Sequence, residues 1–202
     1  MEELLDKIVK DPSLHSKWIN TLSMMENTGA KKIKRCEHPV FVNEIILKHA
    51  AEEARHAYYL KKQIKKVKDN DCRTYERKYL LAPVQSSAYL HVLDISLCRY
   101  LKDEFKLDGA KLKYAAYLLV TYAIEVRADM LYPIYQDVLT NNKSTVNVKS
   151  IIAEEENHLK EMRAQIAEFF VDGDKVCAAS WNLENELFTE WLNALADEVV
   201  KK

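Results

Sequence analysis

Apolar residues recur along this chain at three- and four-residue intervals rather than in alternation, and the pattern persists almost from end to end. Such spacing places apolar side chains on one face of an α-helix and gives no β-strand signature. It predicts an amphipathic leader at residues 2–10, then long helices near 12–33, 39–68, 77–106, 109–139, 146–170 and 180–200. Asp11-Pro12 reads as a helix start, with Asp as cap and Pro at the first position, and Pro39 can open the next helix similarly. Pro133 falls inside a helical pattern and is expected to kink or break it. Asn141, Asn142 and the stretch from Val171 to Asp174 read as loops.

The stripes carry polar residues that an ordinary apolar core would not use. Trp18, Leu22, Met25, Gly29 and Ile33 form one stripe, with Glu26 at its edge. Tyr114, Leu118, Tyr122, Ala128, Tyr132 and Tyr135 form another, with Glu125 among them. Ile46, His49, Glu53, His56 and Leu60 make a third, and Ile151, Glu155, His158, Met162 and Gln165 a fourth. A carboxylate on an apolar face needs a partner.

Two of these stripes contain the same short motif, Glu53-Ala54-Arg55-His56 and Glu155-Glu156-Asn157-His158. Residues three apart on a helix lie one turn along and about 60° around the axis, so each Glu and His can grip one ion together. Glu52 and Glu154 form i,i+4 pairs with the same histidines and are the alternative ligands on those helices. Glu53 and Glu155 are preferred because they complete the stripes. Glu44 also precedes Glu53, but nine residues along one helix is about 900°, which turns it to the opposite face.

The motif-bearing segments also match outside the motif. Glu52 to His56 align with Glu154 to His158, and Gln63-Ile64 with Gln165-Ile166, at a constant offset of 102. Glu26 and Glu125 are offset by 99, each followed at the third position by a small residue, Gly29 or Ala128. An internal duplication of a helix pair accounts for this, and pseudo-twofold symmetry would bring both halves' polar residues to the centre.

The order Glu, Glu-x-x-His, Glu, Glu-x-x-His resembles the ferritin-like di-iron carboxylate superfamily, over most of the chain from about Ser13 to Phe170. The resemblance implies an all-α, ferritin-like four-helix bundle (about 12–170) with two additional helices in a single domain of residues 1–202. Those helices are an apolar segment from about Ser86 to Phe105 and a C-terminal one at about 180–200. It implies Glu26, Glu53, His56, Glu125, Glu155 and His158 as metal ligands, with Glu53 and Glu125 or Glu155 bridging two iron ions, or manganese at one or both positions.

Electrostatics points the same way independently. Four carboxylates converging inside a bundle repel by about 4 kcal/mol per pair at an effective dielectric near 20, before any desolvation cost. Two divalent ions would neutralise them, and mixed oxygen and nitrogen ligands suit iron and manganese, with zinc also able to bind. Around that centre, Leu22, Met25, His49, Leu118 and Tyr122 are expected to line an apolar pocket for an organic substrate. Tyr122 is the candidate catalytic residue as a redox partner, against the commoner role of a core tyrosine bonded to a carboxylate. His49 is expected in a supporting or core position, and Asp129 as a carboxylate orienting a ligand histidine. Asp94, on a face with Leu90, Leu97 and Leu101, is expected to be a satisfied or helix-edge carboxylate.

Composition agrees with helices: three Gly and four Pro in 202 residues are far below ordinary usage. A net charge of −1 gives no general pull toward nucleic acid or anionic membrane. The basic runs Lys31–Arg35 and Lys61–Lys66 read as solvated helix ends. Cys36, Cys72, Cys98 and Cys177 show no C-x-x-C spacing, so neither a rubredoxin-type centre nor a structural zinc site is encoded. No export signal or membrane span is evident, which sets a cytoplasmic expectation. The C-terminal stripe of Trp181, Leu183, Leu187, Phe188, Trp191, Leu195 and Val199 is expected to cover the bundle or form a homodimer surface.

The functional expectation is an oxidase or oxygenase activating dioxygen on a small organic substrate, with an unidentified electron donor. The alternatives are an iron-oxidising or storage protein, and a non-catalytic helical protein with a structural metal.

Overall fold

A computed structural model describes residues 1–67 and 72–201 of the chain. It contains α1 (Glu2–Lys10), α2 (Pro12–Cys36), α3 (Glu44–Ile64), α4 (Pro83–Phe105), α5 (Gly109–Asn141), α6 (Lys149–Phe169) and α7 (Gly173–Val200), and no strand among the described residues. None of these helices is long and apolar enough to cross a membrane.

Helix boundaries follow the capping chemistry closely. Asp11 accepts hydrogen bonds from the Ser13 and Leu14 amides, with Pro12 in the first turn of α2. Pro39 does not open α3. Asn43 does, accepting from the Ile45 and Ile46 amides, so α3 starts five residues later than expected. Its expected last residue, 68, lies outside the described residues. The segment expected to begin near residue 77 makes one 3-10 turn at Arg77–Tyr79 and breaks at Ala82, whose φ of 41° no helix tolerates. Pro83 then starts α4.

α7 begins at Gly173, inside the stretch expected to be loop, because Asp172 caps it through the Lys175 amide. A Cβ on Gly173 would sit 3.5 Å from the Ile166 side chain and 3.6 Å from the Ala167 backbone, so α7 starts close against the end of α6. α6 starts three residues later than expected because Val146 and Val148 are buried in the connection, where the Gln136 side chain accepts from the Val148 amide. Pro133 does not break α5. The carbonyl it leaves without a donor belongs to Asp129, an exposed residue, where water can reach it.

α2 with α3, and α5 with α6, are the most extensively packed pairs. α4 and α7 pack on each other and on α5, while α1 lies against α2, α5 and α7. Because Leu5 and Ile8 of α1 are fully buried, three helices rather than two stand outside the pairs that carry the Glu and His motifs. The apolar interior divides in two. One part joins α1, the first half of α2 and the second halves of α5 and α7, with Trp18 stacked on Trp191 at 5.6 Å. The other joins α4, the first half of α5, α6 and the start of α7. Glu26 and Glu125 fall at the junction of these two regions.

Candidate metal centre

The structure brings six side chains from four helices into one buried cluster: Glu26 of α2, Glu53 and His56 of α3, Glu125 of α5, and Glu155 and His158 of α6. Ligand atoms of Glu53, Glu125, Glu155 and His158 all lie within 4.8 Å of one another, as do those of Glu26, Glu53 and His56. Glu53 belongs to both groups. Glu155 also spans them, with Oε1 3.2 Å from His56 Nδ1 and Oε2 3.4 Å from His158 Nδ1. The arrangement could hold a metal ion.

Local periodicity explains how the side chains arrive there. On α3 the buried residues Ile46, His49, Glu53, His56 and Leu60 step by three and four, so packing the apolar members turns the polar ones inward. Ile151, Glu155, His158 and Met162 do the same on α6. Glu52 and Glu154 lie one position off these stripes and point outward, crossing between the helices. His56 Nε2–H donates to Glu154 Oε2 at 2.8 Å, and His158 Nε2–H donates to Glu52 Oε2 at 2.7 Å. The exchange is reciprocal. Each imidazole is oriented by the carboxylate preceding the other helix's inward glutamate, which leaves both Nδ1 atoms facing the cluster. Arg55 forms a forked pair with Glu154.

The interior of the cluster lacks hydrogen-bond satisfaction. His56 Nδ1, His158 Nδ1, Glu125 Oε2 and Glu155 Oε2 are buried without a hydrogen-bond partner, although the short approaches above bring opposite polar atoms close. They converge without aligning on one another, as atoms do around a shared ion. Unpaired buried polar atoms cost about 1–3 kcal/mol each. Four around one point leave a place that a cation could fill.

The protons follow the same logic. Burial, reinforced by Glu26, holds the Glu53 carboxyl well above the usual carboxylate range. Burial and Glu155 do the same for Glu125. Glu155 goes the other way: burial opposes ionisation, but protonated Glu125 and the two imidazoles close beside it outweigh burial and hold the group low. His56 and His158 are raised because Glu155 and the outer carboxylates outweigh their burial. Without a cation, the centre is therefore partly protonated.

The other residues singled out in the sequence lie elsewhere. Glu44 is exposed at the start of α3. His49 does not join the cluster: Nε2–H donates to Glu161 at 2.9 Å, and Nδ1 is 3.2 Å from the Tyr117 hydroxyl. Asp129 is exposed and touches neither histidine, because Glu52 and Glu154 take the orienting role. Asp94 pairs with Lys32 at 2.7 Å. The Tyr122 hydroxyl accepts from Arg163 at 3.2 Å, on the side of α5 facing α6 and α7, and not from any group of the cluster. Tyr132 is the tyrosine that reaches the carboxylates, its hydroxyl donating to Glu26. Ten residues separate these tyrosines on one stripe, and spacing alone does not say which meets Glu26.

A second buried ionic group was not anticipated. Arg127 of α5 donates to Glu184 of α7 through Nε at 2.9 Å and a terminal nitrogen at 2.7 Å, and Tyr89 of α4 donates to the same carboxylate. Its signal was a lone charge of each sign inside an apolar stripe.

A cavity of about 360 Å³ lies between α2, α4 and α5, a size typical of small-molecule sites. Glu26, Glu53 and Glu125 reach its wall from the cluster. Leu22 and Met25 line it as expected, whereas His49, Leu118 and Tyr122 do not. Glu53, from α3, reaches the wall beside Gly29 of α2, where a Cβ would stand 3.5 Å from Glu53 Oε2, in ordinary contact. Comparison with protein-family models, with curated proteins and with solved structures finds no match to this chain.

Proposed function

We propose that this chain is a non-haem di-iron protein of the ferritin-like type, with manganese as the alternative metal, and that it uses dioxygen to oxidise a small organic molecule. The observation that carries this reading is the set of four unpartnered polar atoms on Glu125, Glu155, His56 and His158, enclosed with two further carboxylates. Four glutamates balance two divalent ions, and oxygen and imidazole donors suit iron and manganese. Glu53 and Glu155, which span both groups, would bridge; Glu26 with His56, and Glu125 with His158, would complete either end. Such a pair of ions, when bound, supplies the electrons and open coordination positions that activate dioxygen.

The protein's own contribution is placement. Glu52 and Glu154 fix the imidazole orientation, Tyr132 holds a proton at Glu26, and the apolar cavity wall excludes water beside the carboxylates. That cavity favours an oxidase or oxygenase over iron storage, which needs no room for an organic molecule.

The test is metal content after anaerobic purification, followed by absorbance and oxygen uptake on loading with ferrous iron. Two irons per chain with rapid oxygen consumption, lost in Glu53→Ala and Glu155→Ala, support the proposal. Metal that is bound but inert to oxygen replaces it with a structural role, and no bound metal removes it.

A further inference from the structure

The cavity has two chemically different regions, and their arrangement selects a class of ligand. Along α2 it extends from Leu22 past Glu26 and Gly29 to Arg35 and Cys36, and along α5 from Leu131 past Glu125 to Lys113 and Gly109. Glu26 and Arg35 are nine residues apart, about 14 Å of helix. Between them the walls are apolar, from Ile33, Leu90, Leu112, Ala116, Val120 and Ile124. At the outer end stand Lys32, Arg35 and Lys113 against a single carboxylate, Asp94. Lys32 pairs with Asp94 at 2.7 Å, and neither Arg35 nor Lys113 makes an ion pair among the described residues. That end therefore carries two cations in excess, whereas the opposite wall, where Arg127 is already paired with Glu184, offers an anion no free cation of the chain.

We infer that the cavity binds a slender apolar molecule with one anionic head group, a medium-chain carboxylic acid, with the head at Arg35 and Lys113 and the chain lying across Gly29 beside the glutamate cluster. Each part of the ligand has its match. The head meets the excess positive charge where the mouth is wet, and the methylene chain replaces water along the apolar wall. The reverse orientation leaves Arg35 and Lys113 unused and buries the head group along the apolar wall, away from the wet mouth. Gly29 is the specificity-determining position, because any side chain larger than a methyl group there enters the space between the cluster and the chain. As a reading of substrate class this rests on the proposed metal centre, but the binding step does not.

Calorimetric titration of the full chain, metal-free and zinc-loaded, with hexanoate, decanoate, hexadecanoate and neutral decanol tests it. Decanoate is expected to bind about tenfold tighter than decanol, and the double variant Arg35→Glu, Lys113→Glu is expected to abolish that preference. Both residues are exposed, so the fold tolerates the change. Gly29→Leu is expected to weaken decanoate while sparing hexanoate. Equal affinity for decanoate and decanol, or no binding of either by protein that takes up zinc, overturns the inference. Decanoate binding in protein that takes up no zinc supports the cavity assignment and overturns the metal centre alone.

Discussion

The chain encloses two ionic groups, and they differ in whether the polar atoms satisfy one another. At Arg127–Glu184 the guanidinium fork meets both carboxylate oxygens, Asn185 accepts a further hydrogen bond at 2.9 Å, and Trp181 and Phe188 face the guanidinium. Charge balances within the group, and nothing more is needed. At the Glu and His cluster the outer atoms are equally well paired, yet the inner ones are not. Charge imbalance and orphaned atoms coincide at one point. A buried group that is complete reads as structure, whereas one that is complete only on its outside reads as a receptor for something absent from the polypeptide.

The comparison breaks most visibly by truncating each group. Arg127→Ala leaves Glu184 buried without its counter-charge and is expected to cost about 3–5 kcal/mol in urea unfolding. Glu125→Gln imitates the protonated carboxyl, so the metal-free protein is expected to stay within about 1 kcal/mol of the parent, while zinc or ferrous iron binding is lost. A loss of several kcal/mol in that variant would show that the cluster, too, is a closed structural group.

The outer carboxylates offer the next largest effect. Glu52→Gln and Glu154→Gln are each expected to weaken metal binding about 10–100-fold in competition with a chelator, by releasing one imidazole from its orientation. Acidity sharpens the contrast further. Glu53, Glu125, His56 and His158 all hold protons more firmly than usual, and a metal must displace them, so affinity is expected to rise with pH by about tenfold or more per unit between pH 6 and 8. Affinity that is flat over this range contradicts the assignment. The smallest effect is expected at Tyr122→Phe, which removes one hydrogen bond from Arg163: about 1 kcal/mol of stability and no change in metal stoichiometry.

Convergence of the six cluster residues was legible in the sequence because i,i+3 spacing and a repeated offset survive without tertiary information. Which partner each residue meets across helices was not. Glu52 and Glu154 stand at i,i+4 from their own helix's histidine, yet each serves the other's, and nothing along one helix distinguishes the two. Tyr132 and Tyr122 share a stripe on α5, and their neighbours on α2 and α6 decide their roles. Asn43 displaced Pro39 as the start of α3 because its side chain supplies two hydrogen bonds, whereas proline offers only a compatible φ. Arg127 and Glu184 lie on α5 and α7, and their pairing depends on packing that periodicity does not encode.

The exchange of carboxylates between α3 and α6 also orders the assembly of the molecule. Backbone packing is concentrated within the α2–α3 and α5–α6 pairs, each joined by a short connection, so either can form from local contacts. Across the divide, α3 and α6 meet largely through the reach of charged side chains: Lys48 and His49 to Glu161, His56 to Glu154, His158 to Glu52. Neither hairpin can hold its histidine in place until the other has docked. Any ion the cluster takes up would therefore find its complete ligand set only once both halves of the chain are in register.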